Sequence, residues 1–338
     1  MNIQKNYSLK DLNTFGIDVK AQLFSEIKSE GQLQLILTDR NFKEISKFIL
    51  GGGSNILFTQ DFPGLVVKNS ITGVEIIQED KESILIKAGA GEIWHDLVLF
   101  CVKKNFGGIE NLSLIPGTVG AAPMQNIGAY GQELKDVFEY LEGYFIDSGE
   151  KKTFTKDQCR FGYRDSIFKR ELKDKFVITS VVLRLSKSPV LKIDYGTVRE
   201  ELEKLNLNRI TIKNVSDVIC KIRQSKLPDP KQIGNAGSFF KNPEIDAKRF
   251  SGLKKKFPEI PGYEIGVNTI KIPAAWLIEK CGWKGKKVGN TGSHSRQALV
   301  LVNYGNATGS EILSLANGIK SSIKDRFGII LEEEINII

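Results

Sequence analysis

"FILGGGSNILF" (residues 48–58) sets three glycines, a serine and an asparagine directly behind an apolar strand. Without Cβ atoms, successive backbone N–H groups can line up as a concave nest for phosphate oxygens. The run does not follow the dinucleotide G-x-G-x-x-G spacing, and it lacks the lysine of a P-loop. On the residues alone, a phosphate nest and a tight inter-strand turn stand level. A second small-residue stretch, "IPGTVGAAPMQNIGAYGQE" (115–133), offers backbone that a flat group can approach. There Gln125 and Asn126 carry amides able to hydrogen-bond a planar ring, and tight packing explains the small residues equally well.

Outward from these stretches the first 200 residues read mostly as strands. "LVVKN" (65–69), "VEIIQED" (74–80) and "SILIKAGAG" (83–91) are short β-branched runs broken by Gly, Asn or Asp. "YLEGYFIDSGEKKTF" (140–154) reads as a hairpin turning at Asp147-Ser148-Gly149, and "FVITSVVLRLS" (176–186) as a further strand. "EIWHDLVLFCVKKN" (92–105) is an intervening helix. From about residue 214 the texture changes: Ser216 is the expected N-cap of a helix that "LPDP" (227–230) halts. "KIPAAWLIEKCG" (271–282) places Pro273 at a first helical position and Gly282 past the end. "SEILSLANGIKSSIKDRFG" (310–328) is amphipathic, and "IILEEEINII" (329–338) reads as a final strand.

The length of 338 residues suits two or three domains. The apolar runs are short of the roughly 20 residues that cross a bilayer, and no secretory signal is read at the start. Four dispersed cysteines and two histidines argue against a zinc site and a disulfide framework, so the expected setting is the reducing cytoplasm, with no metal. The net charge of +8 comes mostly from scattered lysines. It reads first as solvated surface, then as attraction for an anionic small molecule; no nucleic-acid motif accompanies it.

Two further stretches bear on chemistry. "RFGYRDSIFK" (160–169) sets Tyr163 beside Arg164, whose planar fork suits a carboxylate, although a surface ion pair is the commoner use. "GNAGSFFKNP" (234–243) places Ser238 between glycines and phenylalanines with no histidine nearby. Without a G-x-S-x-G elbow or a partnered histidine, Ser238 is not an acyl nucleophile.

These stretches, with "LNTFGI" (12–17), "SKLPDPK" (225–231), "AAWLIEKCGWKG" (274–285) and "QALVLVN" (297–303), resemble in their order the UDP-N-acetylenolpyruvoylglucosamine reductase (MurB) family. "SPVLKIDYGTVREELEKLN" (188–206) resembles the tyrosine-bearing loop of the type I branch. The resemblance implies an α+β protein: a two-subdomain FAD-binding fold of the vanillyl-alcohol-oxidase type plus a third α+β substrate-binding domain. The expected divisions are 1–70 (with strand 329–338), 71–224 and 225–328.

It further implies that FAD is held by Gly51, Gly52, Gly53, Ser54, Asn55, Pro116, Gly117, Gln125, Asn126 and Gly128. The family reaction uses NADPH and passes hydride from flavin N5 to C3 of an enolpyruvyl ether on a UDP-sugar. Carbanionic character at C2 is basic enough to take a proton from a neutral hydroxyl, which gives Ser238 its role. Arg164 is the implied carboxylate clamp and Glu334 the third catalytic residue. The family's L-E-P-E is here "LEEE" (331–334), and strand alternation cannot choose, since Glu332 and Glu334 share a face. Tyr195, Lys226 and Asn242 are implied at the diphosphate, with Tyr130, Lys284 and Gln297 as further substrate residues. A monomer without membrane or nucleic-acid partners is expected. The competing readings are another FAD oxidoreductase of this fold and a flavin-free basic binding module.

Overall fold

The computed structural model describes residues 2–338, in which short strands and helices mix as an α+β arrangement. The chain forms two compact units. One comprises the N-terminal residues through Tyr7, Ala21–Gly52 and Phe62–Ser225; the other comprises Ser8–Lys20, Gly53–Asp61 and Lys226–Ile338.

In the first unit, the strand Phe62–Asn69 lies parallel to Lys20–Ile27 on one side and Lys47–Leu50 on the other. Its central Leu65, Val66 and Val67 are fully buried, as a strand covered on both faces requires. The helix Glu30–Thr38 packs Leu33, Ile36 and Leu37 onto Ile27, Leu65 and Val67. Ser29 caps that helix, its side chain accepting from Gln32 N at 3.3 Å. A five-stranded antiparallel sheet runs in the order Lys151–Thr155, Phe138–Phe145, Phe176–Ser186, Ser83–Gly89, Val74–Glu79. The expected hairpin closes where Gly149 takes a φ of 68°. Trp94, Leu97, Val98 and Cys101 of the helix Trp94–Lys103 share a core with Ile86, Val181 and Leu183 of this sheet.

A polar network ties the Glu30 helix to that sheet. Glu30 accepts from Tyr144 Oη at 2.8 Å, Lys151 Nζ at 2.9 Å and Thr179 Oγ1 at 2.8 Å. Glu142 accepts from Ser180 Oγ at 3.0 Å and pairs with Lys87. Burial raises both carboxyls, but these donors outweigh it and hold each below the usual carboxylate range. A depressed folded-state pKa stabilises the fold above the unfolded-state value of about 4.3, and that stability is lost as pH falls through the folded value. The melting temperature is therefore expected to drop as pH falls from about 5 towards 3, and Glu30→Gln should flatten that drop; a variant as acid-sensitive as the wild type would refute the assignment.

The helix before "LPDP" spans Ile212–Lys226 and begins a turn earlier than expected. Ser216 is not its cap: it is buried inside the helix, 2.8 Å from Ser113 Oγ. Thr211 caps instead, its hydroxyl accepting from Asn214 N at 3.3 Å. The 188–206 segment contains a helix of its own, Gly196–Glu203, whose Val198 and Leu202 pack on Val215, Val218, Ile219 and Ile222.

In the second unit, a sheet runs in the order Gly234–Ser238, Val300–Asn303, Thr291–Ser293, Lys287–Val288. The amphipathic helix Gly309–Phe327 opens on a capping box between Thr308 and Glu311 and ends at Gly328, φ 67°. Pro273 is one residue earlier than expected, the N-cap of Ala274–Lys280. The expected ten-residue terminal strand is also shorter. Only Asn336–Ile337 form a ladder, parallel to Ile56–Leu57. "LEEE" instead makes irregular backbone contacts with residues 239–241. Among the described residues, no helix is long and apolar enough to cross a membrane.

Candidate active site

The glycine loop is closely packed along its first three residues. A Cβ on Gly51 would lie 2.7 Å from the Thr118 hydroxyl, and one on Gly52 would lie 2.8 Å from Gly117 Cα. The two small-residue stretches therefore touch, and the contact allows no side chain. At Gly53 the backbone turns left-handed, φ 65°, and a Cβ would meet the Leu12 carbonyl oxygen at 2.0 Å. Thr14 N donates to Gly53 O at 3.0 Å, and Asn13 braces the Leu9–Ile17 turn through Leu9 O and Ile17 O. Asn55 closes the loop, its amide 3.4 Å from the Glu334 carbonyl and its own carbonyl accepting from Asn336 N at 3.0 Å. Bare backbone held this closely is what a diphosphate-bearing cofactor such as FAD requires, so the residues present fit it.

Within the 115–133 stretch the backbone forms a 3₁₀ helix, Val119–Gln125, after Pro116 and a positive-φ Gly117. Asn126 follows in a left-handed conformation with its side chain fully buried. Its amide donates to Glu133 Oε2 and Gly162 O, and its carbonyl accepts from Lys135 N. In this structure the Asn126 side chain thus pins its own loop.

Arg164 sits on a tight turn. Gly162 and Asp165 exchange backbone hydrogen bonds of 3.0 and 3.3 Å around it, and Arg164 takes a φ of 51°. Its Nη2 donates to Gly128 O at 2.7 Å, and its guanidinium lies 5.6 Å from the Tyr163 ring centroid. Tyr130, also left-handed at φ 49°, packs edge-on against Tyr195 with centroids 5.3 Å apart. Tyr195 is 53% exposed, so its ring is available to a ligand.

The structure adds Arg223, which sequence reasoning missed. It donates through Nε to Leu114 O at 3.1 Å and shares a hydrogen bond with the Tyr130 hydroxyl, close enough to Arg164 for the two charges to repel. Burial lowers its pKa, Tyr130 opposes that, and no carboxylate pairs with it among the described residues. Its signal in the sequence was helical phase: it lies four residues after buried Ile219, on the core-facing stripe. The histidines hold backbone, as expected of structural histidines. His95 Nδ1 accepts from Leu114 N at 2.9 Å, and His294 Nδ1 accepts from Arg296 N at 3.4 Å.

In the second unit, the strand Gly234–Ser238 carries a bulge: Asn235 pairs with Val302 while Ser238 pairs with Val300. Gly237, φ 71°, makes the bulge possible, and Asn235 Oδ1 accepts from its N–H at 3.0 Å. A bulge re-aims the side chain that follows it, here Ser238. Among the described residues the Ser238 hydroxyl has no hydrogen-bond partner, while Phe239 and Phe240 beside it are almost wholly buried. Glu334 N donates to Phe239 O at 2.8 Å, which lays "LEEE" alongside the serine. Glu332 pairs with Lys241 at 3.4 Å and Glu333 with Lys320 at 2.7 Å, so two of the three acids are engaged by lysines.

The remaining residues are more scattered. Asn242 caps the Ala274–Lys280 helix, its Oδ1 accepting from Ala274 N at 2.9 Å, which leaves its NH₂ to act as the donor. Lys226 is exposed at a helix end with no carboxylate paired to it among the described residues. Lys284 pairs with Glu279 at 2.7 Å, and the half-buried Gln297 accepts from Val300 N at 3.0 Å through its backbone carbonyl.

Residues 21–151 match the family profile of an FAD binding domain, and residues 229–338 match that of the UDP-N-acetylenolpyruvoylglucosamine reductase C-terminal domain. Together with the glycine cradle, this defines an FAD-dependent oxidoreductase. The chain is 51% identical to the UDP-N-acetylenolpyruvoylglucosamine reductase of Flavobacterium johnsoniae, with 100% of each chain covered. It is 46% identical to that of Pseudomonas aeruginosa, over 100% of this chain and 99% of the other. The crystal structure of the Thermus caldophilus enzyme superposes with a TM-score of 0.68 at 23% identity, covering 100% of this chain and 99% of that one. The chain belongs to the UDP-N-acetylenolpyruvoylglucosamine reductase family.

Proposed function

We propose that the chain uses NADPH to reduce the enolpyruvyl ether of UDP-N-acetyl-enolpyruvoylglucosamine to UDP-N-acetylmuramate, a step of peptidoglycan precursor synthesis. The observation that carries this reading is the pairing of Glu334 N with Phe239 O, which lays the "LEEE" backbone alongside Ser238, whose hydroxyl has no hydrogen-bond partner among the described residues. When bound, FAD supplies the hydride relay from NADPH to C3. Ser238 gives its proton to C2. Arg164 holds the carboxylate into which charge spreads, and its fixed fork needs no reorganisation as that charge develops. Glu334 assists from beside Ser238. Tyr195, Lys226 and Asn242 donate to the diphosphate, and Tyr130, Lys284 and Gln297 add further contacts to the nucleotide or sugar.

In this reading the chain is a cytoplasmic type I monomer that binds neither membrane nor nucleic acid. Residues 1–70 with 329–338, and residues 71–224, form the two FAD-binding subdomains, and 225–328 bind substrate. The test is an anaerobic spectrum of the purified protein. A yellow protein that bleaches with NADPH and regains its colour with the enolpyruvyl sugar nucleotide supports both halves of the reaction. Bleaching without recovery would mean another substrate, and a colourless protein that FAD cannot reconstitute would overturn the reading.

The assignment among the three acids makes its own prediction. Glu334→Ala is expected to slow flavin reoxidation by substrate roughly 10²-fold or more. Glu332→Ala and Glu333→Ala, which remove lysine-paired carboxylates, should stay within a few-fold of the wild type. Equal loss in all three variants would remove Glu334 from its role.

A further inference from the structure

Lys68 interrupts an otherwise apolar strand: it follows fully buried Leu65, Val66 and Val67 and precedes buried Asn69. In register it lies across from Leu50 on one neighbouring strand and Glu26 on the other. Its ammonium donates to the carbonyl oxygen of Gly51, the first residue of the glycine loop. Glu26 is the carboxylate that acts on it electrostatically, yet no ion pair forms; Glu26 instead accepts from Ser70 Oγ at 2.7 Å and lies 3.9 Å from Lys28. Burial pulls the Lys68 pKa down, and Glu26 only partly opposes that. A half-buried cation offset, among the described residues, by a single carbonyl is an expensive arrangement unless a nearby anion completes it.

The geometry of the peptide bond says where that anion would lie. In a trans peptide the C=O and the following N–H point in opposite directions. Holding the Gly51 carbonyl towards Lys68 therefore turns the Gly52 N–H away from it, out of the loop's far side. Thr118 and Gly117 leave Gly51 and Gly52 no room for side chains, so that N–H remains bare backbone. An ammonium on the carbonyl also polarises the peptide and makes the N–H a stronger donor.

We propose that Lys68 is a positioning residue for the cofactor site, fixing the Gly51–Gly52 peptide so that its N–H faces the diphosphate of FAD and adding positive charge behind it. The inference rests on the reading of residues 51–55 as the diphosphate nest. The test follows flavin fluorescence after dilution of the holoenzyme, and the ³¹P resonances of the bound diphosphate, in Lys68→Met, Lys68→Gln and Gly52→Ala. Lys68→Met is expected to release FAD about 10-fold faster or more and to shift the ³¹P resonances. Lys68→Gln keeps a donor for the carbonyl but no charge, and should fall between that variant and the wild type. Gly52→Ala should also release FAD faster. Wild-type release and unshifted resonances in both Lys68 variants, with Gly52→Ala fast, would overturn the role of Lys68 alone. Wild-type release from Gly52→Ala would overturn the nest on which that role depends.

Discussion

Ser238→Ala is expected to leave flavin reduction by NADPH at its wild-type rate and to slow reoxidation by the enolpyruvyl substrate by roughly 10²–10⁴-fold, the usual contribution of a positioned general acid. The two half-reactions separate because the hydroxyl serves only the second. Nothing in the first needs a proton from the protein at that point. The loss should not come from damage to the fold: the hydroxyl has no protein partner among the described residues, so truncating it leaves no buried group unsatisfied. The bulge that aims the side chain is built from Asn235 and Gly237, which the substitution does not touch. Stopped-flow absorbance of each half-reaction decides the matter, and equal slowing of both would remove Ser238 from proton transfer. Substrate turned over in D₂O adds a second readout, since a residual slow reaction should still place deuterium at C2, delivered by water.

How much of this was legible beforehand depended on whether the information was local. The glycine loop, the Gly149 turn and the Gly309–Phe327 helix follow from short-range rules about φ, caps and periodicity, and they appear where those rules put them. Ser238 could be singled out, yet its aim could not, because the bulge arises from a mismatch with Val300 and Val302 some sixty residues away. The protein partners of Asn126 were hidden for a related reason. An amide in a small-residue stretch looks available until tertiary structure brings Glu133 and Gly162 to it.

Lys68 gave no signal and Arg223 only its helical phase, since the lack of a carboxylate partner for either, among the described residues, is a tertiary fact. The choice among Glu332, Glu333 and Glu334 was beyond strand alternation because the segment is not a regular strand. Lysines from two other elements, Lys241 and Lys320, engage Glu332 and Glu333, which no local rule foretells.

Arg164→Gly should reoxidise with substrate about 10²–10³-fold more slowly, the cost of removing one preorganised donor of charge stabilisation, and yet remain nearly as stable as the wild type. The stability half follows from the backbone. Arg164 sits at φ 51°, where a residue with a Cβ pays roughly 1–2 kcal/mol. Glycine removes that strain while costing about 0.5–1 kcal/mol in chain entropy, and the lost hydrogen bond to Gly128 O costs a similar amount, so the contributions nearly cancel.

Arg164→Lys is informative in the opposite sense. It keeps the charge and the strained turn but loses the planar fork, so it should recover only part of the rate. Arg223, close by and already repelling Arg164, bounds the loss from above, because it leaves one cation near the clamp when Arg164 is gone. A carboxylate clamp thus predicts slow reoxidation, a raised substrate KM and an unchanged melting temperature in Arg164→Gly. If instead the melting temperature fell along with both half-reactions, the arginine would be holding its turn together rather than the substrate.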